Sequence, residues 1–261
     1  MTTIPRPVPP LPAAHSWSRD IASADAFAWL RAGWSDFRTR PGLSLFYGFG
    51  VFLVSLAVIA GMFAFGWDSV LFPALSGFLV VGPVLAVGLY EKSRRIAAGE
   101  PLSLGAMLYV RSGSRGQILF VGVILALLML VWMRAAVIIY ALFFGLRPFP
   151  GLENIAAMLF TTPIGWAMLL VGSAVGGLFA AFAFAVSAFS IPMLLDKRLD
   201  AFTAMGTSMA LVWNNLPAML TWGAITLALT LVAVSTGLLG LIVVFPLLGH
   251  GTWHAYRAVE S

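Results

Sequence analysis

Few side chains in this sequence have both the type and the setting to do chemistry, and Arg134 is the most isolated of them. It interrupts an apolar run over residues 117–145. A charge at the centre of a bilayer costs from about 2.5 kcal/mol upward, so an arginine placed there is a functional candidate by default. Its depth supports a second reading. At the rise of an α-helix, Arg134 lies roughly 25 Å beyond Gln117, near the far interface, where the side chain can snorkel. Asp68 and Glu153 are the candidate ion-pair partners at that level. One reading is therefore a structural or snorkelling arginine, the other a contact with a substrate or a moving proton.

His250 and His254 stand four residues apart, on one face of any helix that holds both. Two imidazoles at that spacing can begin a metal or haem site. The surroundings favour a plainer reading. Gly251 is expected to interrupt the helix, and Trp253 and Tyr256 flank it in the manner of an interfacial aromatic belt. The third histidine, His15, lies in the N-terminal tail, so no third or fourth ligand is in view and neither a metal nor another cofactor is expected.

Two further sets are defined by spacing. Ser173, Gly177, Ala181 and Ala185 recur four apart, with Gly172, Gly176 and Ala180 one row over. Such small-residue ribbons let helix backbones approach closely, within one bundle or against another membrane protein. Arg94, Arg95, Arg111 and Arg115 cluster around a Ser-Gly loop at 112–116, where anionic lipid headgroups are the ordinary ligands. Phosphate-loop, zinc-protease and nucleophile-elbow patterns are missing. All ten carboxylates fall in tails or loops, so no catalytic pair sits in mid-membrane.

The elements that must position these groups follow from composition. Hydrophobic residues make up 61% of the chain and charged residues 10%, with a mean hydropathy of +0.97. Soluble domains run nearer 45–50% and 25%. Only lipid can act as solvent for this balance. With no cysteine, disulfides, thiolate metal sites and a cysteine nucleophile are excluded.

In chain order, residues 1–22 read as a Pro/Ala-rich disordered tail. Residues 23–40 read as an amphipathic surface helix with Phe27, Leu30, Trp34 and Phe37 on one face, capped by Ser23 or Asp25 and ended by Pro41 and Gly42. It packs on the protein, lies among the headgroups, or does both. Spans are expected over 43–65, 70–90, 117–145 and 164–195, with a weaker surface element at 102–115 and a short helix at 152–160. A last unit opens with a surface helix from Asp200, turns through Asn214, Asn215 and Pro217, and closes with an apolar hairpin over 216–248 and an aromatic exit over 245–254.

Three units, 23–95, 102–198 and 199–257, form a candidate repeat. Asp25-Ala26-Phe27 matches Asp200-Ala201-Phe202, and each second span carries a proline near its exit, at Pro83, Pro192 and Pro246. Lys and Arg gather in the tail, the alternate loops and the C-terminus, whereas the opposite loops offer Arg147 alone. The positive-inside rule then places both termini in the cytoplasm, after six spans.

Three segments carry a family resemblance: the opening at 26–40, the Trp132, Arg134 and Tyr140 stretch at 132–144, and the exit at 192–202. The closing segment 246–256, with His250 and His254, adds a fourth. Together they resemble the bacterial integral-membrane family catalogued as domain of unknown function 2189. The resemblance implies a helical inner-membrane protein and supplies no catalytic residues. Members are sometimes labelled cytochrome oxidase-like; three histidines in all cannot furnish a haem–copper centre, so the chain would at most accompany such an enzyme.

The sequence thus predicts an all-α polytopic protein of six transmembrane helices in three hairpins, each preceded by an amphipathic interfacial helix, with 23–261 as one membrane domain. Its expected setting is the bacterial inner membrane. The expected role is non-enzymatic: an accessory or assembly subunit of a larger complex, such as a respiratory, cytochrome oxidase-associated one, bound to a membrane-protein partner or a second copy and not to nucleic acid. A small-solute or lipid transporter is the alternative, and a membrane enzyme resting on Arg134, His250 and His254 is third.

Overall fold

The computed structural model describes residues 17–110, 112–145 and 149–260. Its helices are α1 (Asp25–Arg38), α2 (Pro41–Ala64), α3 (Leu71–Leu85), α4 (Val87–Ala98), α5 (Leu104–Leu108) and α6 (Arg115–Phe144). They continue with α7 (Leu152–Thr161), α8 (Pro163–Ser187), α9 (Ser190–Asp196), α10 (Ala201–Asn214), α11 (Leu216–Ser235) and α12 (Leu241–Glu260). Among the described residues there is no strand.

Five stretches are long and apolar enough to cross a membrane: Pro41–Ala64, Leu71–Ala98, Arg115–Phe144, Pro163–Asp196 and Leu216–Ser235. Six were expected, and α12, the sixth expected span, is not among these five. The other long helix, α12, has 20 residues, but His250, His254, Arg257 and Glu260 dilute its second half. It also runs unbroken through Gly251, where an interruption was expected. Its C-terminal turn returns to the charged end of the bundle, where Lys197 Nζ meets a Glu260 carboxylate oxygen at 2.8 Å and Arg19 Nε donates to Val259 O at 3.0 Å. Residues 1–16 of the expected tail lie outside the described residues; Trp17 and Arg19 beyond them are fastened to Asn215.

The kinked helices form the centre. In a bilayer a freed backbone group must find a partner inside the protein. Near the α3–α4 break at Ala86, the Tyr47 hydroxyl of α2 donates to Leu85 O at 2.7 Å. Ser208 of α10 serves the α8–α9 break, accepting from Phe189 N and donating to Ala185 O. Pro246 has no N–H for Ile242 O, and α2 presents Gly48 to that carbonyl, so closely that any side chain there would collide with it. Around this centre α2 and α1 pack on α12, α6 on α3 and α8, α10 on α8 and α9, and the single-turn α5 on α4.

The two longer surface helices bury the same register. α1 buries Ala26, Trp29, Gly33 and Phe37 and exposes Phe27 and Trp34. α10 buries Ala201, Ala204, Ser208 and Val212 and exposes Phe202 and Met209. The expected aromatic stripe is thus split: Phe37 packs inward, whereas Phe27 and Trp34 face out. The inner stripe is made of small residues and Trp29, one position off the stripe that hydrophobicity alone picks out. α1 stops just before Pro41, as expected, and Pro41 begins α2 at once, after a left-handed Arg40 (φ 52°).

Candidate functional site

The chemistry-bearing residues converge where α1, α2, α4 and α12 meet. Lys92 lies on α4, inside the apolar stretch Leu71–Ala98, and is 0% exposed. Its Nζ donates to Asp36 O at 3.0 Å and to Ser44 Oγ at 2.7 Å. Ser44 Oγ lies 2.9 Å from His250 Nε2, and His250 Nδ1 lies 2.8 Å from Ser93 Oγ. His250 is also 0% exposed. Ser44 accepts from Lys92 and has one proton to give to His250 Nε2; the imidazole proton then sits on Nδ1 and is donated to Ser93. The assignment leaves His250 neutral, as its burial beside a lysine favours.

At the edge of this cluster the Asp36 carboxylate meets His254 Nε2 at 2.9 Å. Asp36 therefore faces two ways: its carbonyl oxygen holds Lys92 and its carboxylate holds His254. One turn of α12 separates the two histidines and puts both on the face covered by α1, α2 and α4, as their spacing predicts. Close backbone contact makes this reach short. A Cβ built on Gly33 of α1 would stand 2.6 Å from Gly251 N of α12. Next to the cluster, buried Glu91 takes Arg94 through two bonds, at 2.8 and 2.9 Å, and Arg95 at 2.6 Å.

A cluster so wired can hold helices together; each residue in it is hydrogen-bonded to another. Among the described residues no group of three His, Cys, Asp or Glu is placed to hold a metal ion. His250 is a buried link and not part of an interfacial aromatic belt, a correction that follows from α1 and α2 covering that face of α12. Lys92, Asp36, Ser44 and Ser93 were not singled out from the sequence. The signal was present: only Glu91 separates Lys92 from the apolar run that ends at Tyr90, close enough for one helix to carry the charge inward.

The remaining site residues are dispersed. Arg134 lies exposed on α6, about 28 Å along the helix from Arg115. Among the described residues it makes no ion pair, and neither does Glu153; the Asp68 side chain is not described. The α8 ribbon divides. Gly176 packs on Trp132 of α6, and Ala180 and Ala185 are half-buried. Ser173, Gly177 and Ala181 face out, and nothing lies within 4 Å of a Cβ built on Gly172 or Gly177. Of the basic cluster, Arg94 and Arg95 turn to Glu91, Arg115 is exposed at the start of α6, and Arg111 lies outside the described residues.

Residues 71–196 match the model of the family described as "Predicted integral membrane protein (DUF2189)". This segment is similar to the DUF2189 family. It holds the 132–144 stretch and most of α3 to α9, whereas the opening at 26–40 and the closing at 246–256 lie outside the match. The DUF2189 segment therefore contributes Lys92 and Ser93 to the buried cluster, and Asp36, Ser44, His250 and His254 come from outside it. Searches among curated proteins and among solved structures returned no match.

Proposed function

We propose that this integral membrane protein is non-enzymatic and works by docking a transmembrane helix of another membrane protein, as an accessory or assembly subunit of a larger complex. The observation that carries the reading is the outward row Ser173, Gly177 and Ala181 on α8. It forms a shallow furrow between Leu170, Leu178 and Phe182, all exposed. Lipid tails gain little by filling such a furrow, but a helix backbone gains close packing and weak Cα–H hydrogen bonds. The groups best suited to chemistry, Lys92, His250 and Asp36, are occupied with one another, which argues against catalysis.

In this reading α12 is a sixth crossing, because it spans the depth of α11 and ends beside Asn215, where α11 begins. Both termini then lie on the side richest in Lys and Arg, the cytoplasmic face of a bacterial inner membrane. Arg115 supplies headgroup contact there. The test is Gly177→Leu combined with Ala181→Leu, read as particle size and composition after extraction in mild detergent. The reading expects a stoichiometric membrane partner with the unaltered chain and its loss in the variant. A particle that is a lone chain, or that keeps its partner in the variant, overturns it.

One observation favours ion-coupled transport as the second reading: Lys92 and His250 are ionisable groups enclosed in a membrane bundle, and such groups mark ion and proton pathways. Uptake into proteoliposomes that depends on a proton gradient and vanishes in Lys92→Gln would select it.

A further inference from the structure

A cavity of about 90 Å³ lies between α3, α4, α8, α11 and α12, on the side of α12 away from the Lys92 cluster. Phe78, Phe184 and Phe245 give it an apolar wall. Tyr90, Trp222, Thr226 and Thr230 also line it. Tyr90 and Trp222 are 2% and 1% exposed, yet neither the phenol O–H nor the indole N–H has a hydrogen-bond partner among the described residues. The hydroxyls of Thr226 and Thr230 are likewise without one. This is unusual for threonine in a helix, which commonly returns its proton to a carbonyl one turn back. Thr221, Thr236 and Thr252 of the same two-helix region all do so.

Tyr90, Trp222 and Thr230 are buried and Thr226 is half-exposed, and these four unpaired donors border one small apolar space where ligand oxygens can take their bonds. Their depth identifies the ligand's source. Thr226 and Thr230 stand about 15 and 21 Å along α11 from Leu216, well inside a hydrocarbon layer of about 30 Å. α8 and α11 stand apart here, and the half-exposed Phe184 and Thr226 leave the space open to the lipid side. No charge faces it, since Lys92 points to Asp36 and Ser44.

We propose that this cleft binds a neutral, long-chain lipid through its carbonyl oxygens, which between them accept from Tyr90, Trp222 and the α11 threonines while the chain leaves between α8 and α11. The site is independent of the furrow at Gly177. An ester carbonyl and a quinone carbonyl share this chemistry. The test uses the full-length protein in phosphatidylcholine nanodiscs with one of three diazirine-tailed probes: a diacylglycerol, a quinone, or an alkane with no carbonyl.

The expected result is labelling of the 216–235 and 184–188 peptides by one or both carbonyl probes well above the alkane. Tyr90→Phe and Thr226→Val keep the shape of the wall, and each lowers that labelling by about fivefold, the worth of one hydrogen bond. Their melting temperatures stay near that of the unaltered chain, because no protein hydrogen bond is lost. Which carbonyl probe labels decides between ester and quinone. Equal labelling by all three probes, or labelling unmoved by both variants, means annular lipid only and overturns the proposal.

Discussion

The two flanks of α12 solve one problem in opposite ways. Toward α1, α2 and α4, glycines at 33, 48 and 251 bring backbones into contact, and the polar groups that this encloses satisfy one another. Toward α8 and α11, Gly251 meets a side chain, the Trp222 indole, and not a backbone, and Tyr90, Trp222, Thr226 and Thr230 border a void. The first flank is a lock and the second is a vacancy. The difference teaches that burial alone does not mark a site in a membrane bundle: Lys92 is fully buried and fully used, whereas Tyr90 is buried and unused.

Predictions that break the lock should be costly. Lys92→Met removes the charge that faces Asp36 and leaves the carbonyl of Asp36 and the hydroxyl of Ser44 short of a donor. Leaving a buried acceptor without its donor costs about 1–3 kcal/mol, two are left so here, and an unfolding titration in mild detergent should show a loss of at least that order. Gly33→Leu forces a side chain against the backbone of Gly251 and should cost about 1–3 kcal/mol, as overpacking does. The same change at Gly172, where a Cβ meets nothing within 4 Å, should leave stability unmoved in the same titration.

Outside the membrane-spanning segments effects should be smallest. Asp200 caps α10, accepting from Thr203 N at 2.9 Å. Hydrogen bonds from the Thr203 side chain and backbone hold its carboxyl below the ordinary value of 3.8. A group with a lowered folded pKa contributes stability above its unfolded value and loses it as pH falls through the folded one. The melting temperature should therefore decline slightly on acidification below about pH 4, and the part owed to this cap should vanish in Asp200→Asn.

Much of the architecture was legible because apolar run lengths and prolines report directly on lipid-soluble helices. Residues 152–160 were expected as a short helix and form α7. What hydropathy could not report was reach. Lys92 reads as a loop charge until α4 is seen to continue to Ala98, and Asp36 reads as a surface acid until Gly33 is seen against Gly251. The inner stripe of α1 was misread for the same reason: Ala26 and Gly33 score weakly as hydrophobic but fit where Phe27 and Trp34 cannot. The His250 and His254 pair was visible as a pair, but its partners come from α1, α2 and α4, 157 to 218 residues away in sequence.

The most direct test of the lock and the vacancy is a paired measurement. Ser44→Ala and Thr230→Val each remove one buried hydroxyl, and both can be followed in a single unfolding titration in mild detergent. Ser44→Ala strands Lys92 and His250 and should lose about 1–3 kcal/mol, whereas Thr230→Val loses no protein hydrogen bond and should stay within about 0.5 kcal/mol of the unaltered chain. Equal losses, or a larger loss at Thr230, would contradict the account.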